Sequence, residues 1–352
     1  GVKIRVGCMK EEGVQIVEGS TLILTTEEVE GDTKRIQISL KKLPSTLKPG
    51  DQVFINDGII HLEIMEIEGK EARCRVLVGG ELRSRKGINL PGIDLDIDAI
   101  TEQDLKCLKF ALNQGVDAIG QSFVTSAKDV ECLRNAAAAM GFSPFIIAKI
   151  ERSQALEAME AIMYAADGIM IGRGDLGVEI PLETIALAQK ELIYRANLLG
   201  KPIITATHML DSMTCRLRPT RAEVSDVANA ILDGTDAVML SEESATGSYP
   251  VEAVTMLSKI AVATEASRPK ECPWEHLIDR GVRKDTAFVD YISRNVNHAV
   301  DHLQPDAVVV PTSSGYTARM VSRFKLPLWI AAVTPSPRVS QGLIFSYGVE
   351  PV

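Results

Sequence analysis

Aromatic side chains are scarce in this sequence, 5% of residues against 45% hydrophobic residues in all, so the core must be built from Val, Ile, Leu, Ala and Met. No apolar run approaches the roughly 20 residues that a membrane helix needs, and no basic-then-apolar leader opens the chain. The cytoplasm is therefore the expected compartment. Cys-x-x-Cys pairs are missing as well: Cys8, Cys74, Cys107, Cys132, Cys215 and Cys272 are scattered through mostly apolar segments. Neither a disulfide framework nor a zinc site is indicated, and the six read as reduced core thiols. Positive charge is in deficit. A formal net charge of −9 argues against a general polyanion-binding surface, and so against nucleic acid as a partner, yet leaves room for a local positive pocket that meets phosphates.

The 352 residues suffice for two or three domains. From about residue 7 to residue 90 the text is β-rich, with runs at 21–25, 35–40, 53–55, 61–67 and 72–78 separated by Gly, Asp and Lys turns. This predicts a small β-barrel or sandwich. Pro91-Gly92 breaks the pattern, and helices at 102–113, 126–140, 153–165, 181–199, 221–232 and 251–265 then alternate with strands at 118–123, 145–150, 168–171, 203–207 and 237–240. Continuous apolar strands are covered on both faces, and right-handed crossovers through helices allow a doubly wound sheet or a (β/α)8 barrel. Ser122, Lys149, Glu151, Asp175, Thr207 and Ser241 all fall at C-terminal strand ends. An open sheet gathers its site at one switch point, whereas a barrel collects residues from many strands around one mouth, and the spread predicts a barrel. After a polar stretch at 267–284, a further α/β unit is read from a helix at 286–303, a strand at 307–310 and a loop at 311–315.

Lys149 and Glu151 stand two residues apart at the end of the apolar run Phe145-Ile146-Ile147-Ala148. Alternate side chains of a strand share a face, so an ammonium and a carboxylate emerge together. Asp175 leaves the next strand inside Gly172-Arg173-Gly174-Asp175-Leu176-Gly177, where glycines let backbone N–H groups approach an anion. Mg²⁺ takes one or two protein carboxylates and leaves its other positions to substrate oxygens and water, which suits Glu151 and Asp175. Lys149 would add fixed positive charge where negative charge grows, so the set suits phosphoryl transfer coupled to an enolate. Taken singly, each feature has a plainer reading: an ion pair at a strand end, a strand-to-helix turn, and a Thr207 hydroxyl bonded to nearby backbone.

The runs Ile147-Ala148-Lys149-Ile150-Glu151-Arg152, Asp167 through Gly177, Ala206-Thr207-His208-Met209-Leu210, and Arg218-Pro219-Thr220-Arg221-Ala222-Glu223 through Asp226-Val227-Ala228-Asn229 resemble the pyruvate kinase family in order and spacing. The resemblance implies an α/β fold: a (β/α)8 TIM barrel with an inserted β-barrel lid and a partial C-terminal α/β regulatory domain. In this chain it assigns 1–6 to the end of a barrel strand, 7–90 to the lid, 91–266 to the barrel and 267–352 to the C-terminal domain. It further implies Mg²⁺-dependent transfer of a phosphoryl group from phosphoenolpyruvate to ADP, giving pyruvate and ATP, with Mn²⁺ as a substitute metal, in a cytoplasmic homotetramer. Lys149 then matches the lysine that stabilises the transferring group and enolate, and Glu151 and Asp175 the metal ligands. The backbone of Arg173, Gly174 and Asp175 matches a substrate-carboxylate cradle, Thr207 the threonine beside the enolate carbon, and Ser241 a hydroxyl near it. Arg5 matches an arginine facing the nucleotide phosphates, Lys86 a nucleotide-side lysine at the lid hinge, and Asp57-Gly58 the lid's Asp-Gly turn.

Departures from the family pattern carry expectations of their own. Eight barrel strands are implied and five are read, so the opening strands, with an Arg-x-Asn-x-Ser-type motif and an Asp-Thr-Lys, would precede Gly1. A protein beginning at Gly1 would then fail to close its barrel and turn over little or nothing. Lys3, where potassium-dependent members carry Glu, resembles the potassium-independent branch, its ammonium standing in for the monovalent cation. Gly172 replaces the usual alanine, and His208 replaces glutamine and reads as structural. Thr312, Ser313, Ser314 and Thr317 follow a strand and open a helix, resembling the loop that holds an effector phosphate; the plain alternative is a helix cap. Two other functions stand beside the kinase: another metal-dependent barrel enzyme handling pyruvate enolate, and a catalytically silent, phosphometabolite-sensing module.

Overall fold

The computed structural model of the chain describes residues 3–11, 13–40, 42–56, 58–93, 100–268 and 287–352. Asp57 of the Asp-Gly turn, Cys272 and nearly all of the polar stretch at 267–284 lie outside the described residues.

The β-rich part forms a seven-stranded sheet in the order Ile4–Arg5, Gly87–Asn89, Gln52–Ile55, Ile60–Glu68, Glu71–Val78, Thr21–Thr25 and Arg35–Gln37. Its two edges meet. Gly7 N–H donates to Gln37 O at 2.8 Å, Ser39 N–H donates to Arg5 O at 2.9 Å, and Val6 bridges Ile38. The sheet is therefore a closed small barrel, which leaves no backbone edge free there. Its strands alternate as a half-buried sheet should: Ala72, Cys74 and Val76 are fully buried while Arg73 and Arg75 face out. Ile4–Arg5 lies antiparallel to Gly87–Asn89 in the small barrel. Burial of Ile4 and Val6 around exposed Arg5 is the alternation of such a strand.

Beyond Gly92, whose φ of +73° makes the turn that Gly tolerates, five strands form a wholly parallel sheet. They are Ala118–Gln121, Phe145–Ile150, Gly168–Gly172, Ile203–Ala206 and Ala237–Met239, each beside its predecessor. Such strictly sequential winding is that of a (β/α) barrel wall; a doubly wound sheet would reverse its strand order at a switch point. Ile146, Ala148, Ile150, Ile169, Ile171 and Ile203 pack against Leu108, Leu112, Val130, Leu133, Ile162, Met163, Leu192 and Ile193 of the covering helices.

Helices Glu102–Asn113 and Arg221–Leu232 keep their expected bounds, and Thr101 with Asp104 and Thr220 with Glu223 form reciprocal capping boxes at their starts. Two regions depart from expectation. The helix read at 153–165 is interrupted at Ala158, with no proline or glycine to announce it. The glycine-rich turn after strand Gly168–Gly172 is a short helix, Arg173–Glu179, and the next helix begins only at Ile185. Gly174 and Gly177 disfavour a helix locally, and burial of Arg173, Leu176 and Glu179 overrides them.

The C-terminal unit has parallel strands Ala307–Pro311, Trp329–Val333 and Val349–Pro351. It docks at the N-terminal ends of the parallel strands, opposite the mouth. Asp236 accepts from Ile203 N–H at 2.9 Å, from Lys325 Nζ at 2.6 Å and from Tyr347 N–H at 2.9 Å, and Phe145 stacks on Phe345 at 5.1 Å.

Of the described cysteines only Cys74 is buried; Cys8, Cys107, Cys132 and Cys215 are free but exposed, which corrects the core-thiol reading. Apolar neighbours in sequence did not decide their orientation. On helix Glu102–Asn113, for instance, Leu108 and Leu112 face inward and Cys107 does not. Among the described residues no helix is long and apolar enough to cross a membrane.

Candidate active site

Lys149 and Glu151 emerge together from the end of strand Phe145–Ile150, as the two-residue repeat of a strand requires. Lys149 Nζ lies 2.5 Å from Glu151 Oε1 and 3.1 Å from Ser122 Oγ on the neighbouring strand's loop. Glu151 is only 2% exposed, and its Oε2 accepts from Phe123 N–H at 2.9 Å. Phe123 presents that N–H from a left-handed φ of +56°. A Cβ on Gly172 would lie 2.6 Å from Glu151 Cγ and 3.0 Å from Oε1, so glycine at this position leaves the carboxylate its room.

Asp175 occupies the first turn of helix Arg173–Glu179 and is gripped from the small barrel. Lys3 Nζ donates to Oδ1 at 3.0 Å and to Oδ2 at 3.2 Å, and Asn89 Nδ2 donates to Oδ1 at 3.2 Å. Each of the two acids is thus held in place by a lysine before any ligand arrives. The first-turn N–H groups of Gly174 and Asp175 have no acceptor within their own helix, which suits a carboxylate.

Thr207 and His208 both have left-handed backbones, with φ of +73° and +53°. Non-glycine residues hold such conformations only where their surroundings over-determine them. Here the Arg173 guanidinium does so: Nη2 donates to Thr207 O at 2.8 Å and to His208 O at 3.2 Å, and Nε to Thr207 O at 3.2 Å. Asp226 balances its charge, with Oδ2 2.6 Å from Nη1. Arg173 contributes a buried structural fork rather than a side chain in the mouth. A Cβ on Gly174 would come within 2.8 Å of Thr207 Cγ2, so the glycine-rich turn and the threonine loop are in close contact.

Ser241 N–H donates at 2.7 Å to Glu243 Oε2, whose other oxygen accepts from Leu210 N–H at 3.0 Å. Buried Glu243 therefore ties the loops after the last two parallel strands. Below Asp175, Arg152 Nε lies 3.2 Å from Glu179 Oε2 and its Nη2 donates to Ile93 O at 3.1 Å. Burial pushes the Glu179 carboxyl above its ordinary range, Arg152 pulls it back, and nearby Asp175 adds to the rise.

Arg5 lies opposite Gly87, next to Lys86, on adjoining strands of the small barrel, and Arg5 Nη1 donates to Arg85 O at 3.0 Å. Among the described residues no hydrogen bond or ion pair joins Arg5, Lys86 or Ser241 to Lys149, Glu151 or Asp175, and none joins Asp175 to the Lys149–Glu151 pair. In the C-terminal loop, Thr312 Oγ1 accepts from Gly315 N–H at 3.0 Å and Ser314 Oγ from Tyr316 N–H at 3.4 Å, while Ser313 and Thr317 make no such cap.

Asn89, the Arg173 side chain, Asp226, Glu243 and the Arg152–Glu179 pair were not singled out by sequence. Asn89 stands in the Arg85-Lys86-Gly87-Ile88-Asn89 run, but nothing in that run announces a buried amide.

The fit to a divalent cation is that of a shared ion. Among the described residues no cluster of three or more His, Cys, Asp or Glu converges. Glu151 and Asp175 follow neighbouring parallel strands, and a pair of carboxylates is the number that Mg²⁺ takes from a protein while leaving its remaining positions to substrate and water.

The fold is that of a (β/α)-barrel protein whose strand ends meet a small β-barrel, through the contacts of Lys3 and Asn89 with Asp175. Residues 1–254 match the pyruvate kinase barrel domain and residues 290–352 the pyruvate kinase alpha/beta domain. Pyruvate kinase from Thermococcus litoralis is 47% identical over the whole of this chain and 74% of its own length. Pyruvate kinase of Staphylococcus aureus is 40% identical, and pyruvate kinase 2 of a Synechocystis species 42%, this chain spanning 60% and 59% of their lengths. A crystal structure of a pyruvate kinase from Cryptosporidium parvum superposes with a TM-score of 0.88 at 35% identity, covering all of this chain and 73% of that one. The chain belongs to the pyruvate kinase family, a family of phosphotransferases.

Proposed function

We propose that the protein transfers the phosphoryl group of phosphoenolpyruvate to ADP, giving pyruvate and ATP as the last step of glycolysis in the cytoplasm. The observation that carries this reading is Lys149 Nζ held between Glu151 and Ser122 beside the turn that bears Asp175. In the reaction a terminal oxygen of ADP attacks phosphorus, the bond from phosphorus to the enol oxygen breaks, and the enolate takes up a proton at carbon to become pyruvate. Lys149 holds fixed positive charge where the transferring phosphoryl group and the enolate oxygen carry most of theirs. Backbone N–H groups of Gly174 and Asp175 orient the substrate carboxylate, and Thr207, rigidly placed by Arg173, stands beside the enolate carbon with Ser241 on the adjoining loop. Arg5 and Lys86 offer two cations to the nucleotide phosphates.

Glu151 and Asp175 would hold Mg²⁺, or Mn²⁺ in its place, which when bound neutralises charge on the substrate oxygens. Lys3, already on Asp175, supports a reading in which its ammonium supplies the charge of a monovalent cation. At constant ionic strength, rates should be the same with and without potassium; strong activation by potassium would refute this part. The hydroxyls of Thr312, Ser313, Ser314 and Thr317 can donate to a phosphorylated effector even while Thr312 and Ser314 accept from the backbone. A sugar phosphate should then shift the substrate saturation curve, and Thr312→Val should remove the shift. By family likeness the working assembly is a homotetramer, which sedimentation would read directly.

The deciding assay follows pyruvate from phosphoenolpyruvate with ADP and Mg²⁺ omitted in turn. Formation only when both are present supports the kinase. Formation without ADP points to a lyase or phosphatase, and none at all to a silent module.

A further inference from the structure

Asn89 ends strand Gly87–Asn89, the last strand of the small barrel, three residues before the Gly92 turn into the parallel sheet. An amide beside a loop is ordinarily solvated, yet this one is only 5% exposed. Its Nδ2 donates to Asp175 Oδ1 at 3.2 Å, whereas its own Oδ1 is buried and accepts from none of the described residues. The orientation is forced, because the reverse would set two acceptor oxygens against each other. A buried acceptor without a protein partner is costly, and a water, an ion or a functional ligand is what ordinarily meets such a group. Neighbouring chemistry narrows that partner. Asp175 offers only acceptors, and the Lys3 ammonium already donates to both Asp175 oxygens. The missing partner is a donor, and water carried by a divalent cation on Asp175 would be one.

We propose that Asn89 is a positioning residue for the cation site, a role that rests on the functional reading above. Nδ2 fixes Asp175 from the small barrel, and Oδ1 would accept a hydrogen bond from water that arrives with the cation. Cation affinity is thereby coupled to the seating of the small barrel, which also touches helix Arg173–Glu179 through Lys3 and, at Gly58, lies close to Val178. The nearest alternative is a purely structural amide that packs the hinge.

The test is Mn²⁺ binding to the whole protein, followed by electron paramagnetic resonance of the free ion, with thermal unfolding in metal-free buffer alongside. Asn89→Leu removes both amide functions at similar volume, and Asn89→Ala serves if the larger side chain prevents folding. Each variant should bind Mn²⁺ about tenfold more weakly, the effect expected for loss of one or two such hydrogen bonds. A lowered unfolding temperature with Mn²⁺ affinity within twofold of the parent would overturn the proposal and leave the structural alternative. The two readings fail separately. A parent protein that binds no Mn²⁺ and makes no pyruvate sinks the functional reading; a parent that binds Mn²⁺ no better than its Asn89 variants sinks this one alone.

Discussion

At the scale of single residues, the site is a set of charges held before substrate binds. Preorganised charge of this kind is worth most in a desolvated cleft, because little reorganisation remains for the moment of transfer. Arg173 is the clearest instance of a residue acting through another. Arg173→Lys keeps the charge near Asp226 but loses the planar fork on the Thr207 and His208 carbonyls. Turnover should fall by about 10²-fold with Mn²⁺ binding largely retained, since the loss falls on positioning. Steady-state kinetics and metal titration would check it. Cys74 offers a different test. Burial pushes its thiol up to about 12, so a maleimide at pH 8 should label peptides containing Cys8, Cys107, Cys132 and Cys215 but spare the Cys74 peptide until the protein unfolds. The convergence of Lys149 with Glu151 could be read from two-residue spacing because it is a property of one strand. Burial of Arg173 and Asn89 could not, because it depends on partners 34 and 86 residues away.

At the scale of elements, capping chemistry decides where helices begin. Glu223 accepts from Thr220 N–H at 2.7 Å, from Ser212 N–H at 2.7 Å and from Ser212 Oγ at 2.6 Å. Burial alone would raise its carboxyl, but the hydrogen bonds from Ser212 and Thr220 outweigh it and hold the group below its ordinary range. A folded-state value below the unfolded one gives stability that is present above the unfolded value and lost as pH falls through the folded one. Glu223→Gln should therefore cost about 1 kcal/mol at pH 7 and progressively less in acid, read from urea unfolding at several pH values. The ends of the helices at 102–113 and 221–232 were legible because Gly115 and Gly234, both at positive φ, follow them closely. Helix Arg173–Glu179 had no such signal: its two glycines argue against it, and only the packing of Arg173 and Leu176 creates it.

At the scale of the whole molecule, the candidate site and the docked C-terminal unit lie at opposite ends of the parallel sheet. Strand order was legible because alternating helices and strands admit few windings, and strand-end polar residues chose between them. Membership of Ile4–Arg5 in the small barrel was not, because a two-residue strand pairs by whichever edge is available. The docking of the C-terminal unit rests on Lys325 and Asp236, whose side chains are 2% and 4% exposed. Asp236→Asn would strand a buried ammonium and should destabilise by about 3 kcal/mol in denaturant unfolding, while substrate KM stays near that of the parent. A changed KM would mean that this end of the sheet reaches the mouth.

The central claim is that Lys149, Glu151 and Asp175 act as one phosphoryl-transfer site. Its most direct measurement is pyruvate formation from phosphoenolpyruvate and ADP by the protein and by Lys149→Met, with Mn²⁺ binding measured on the same samples. The account predicts that the variant loses about 10³-fold in turnover while still binding the cation. A Lys149→Met protein that turns over near the parent rate would contradict it.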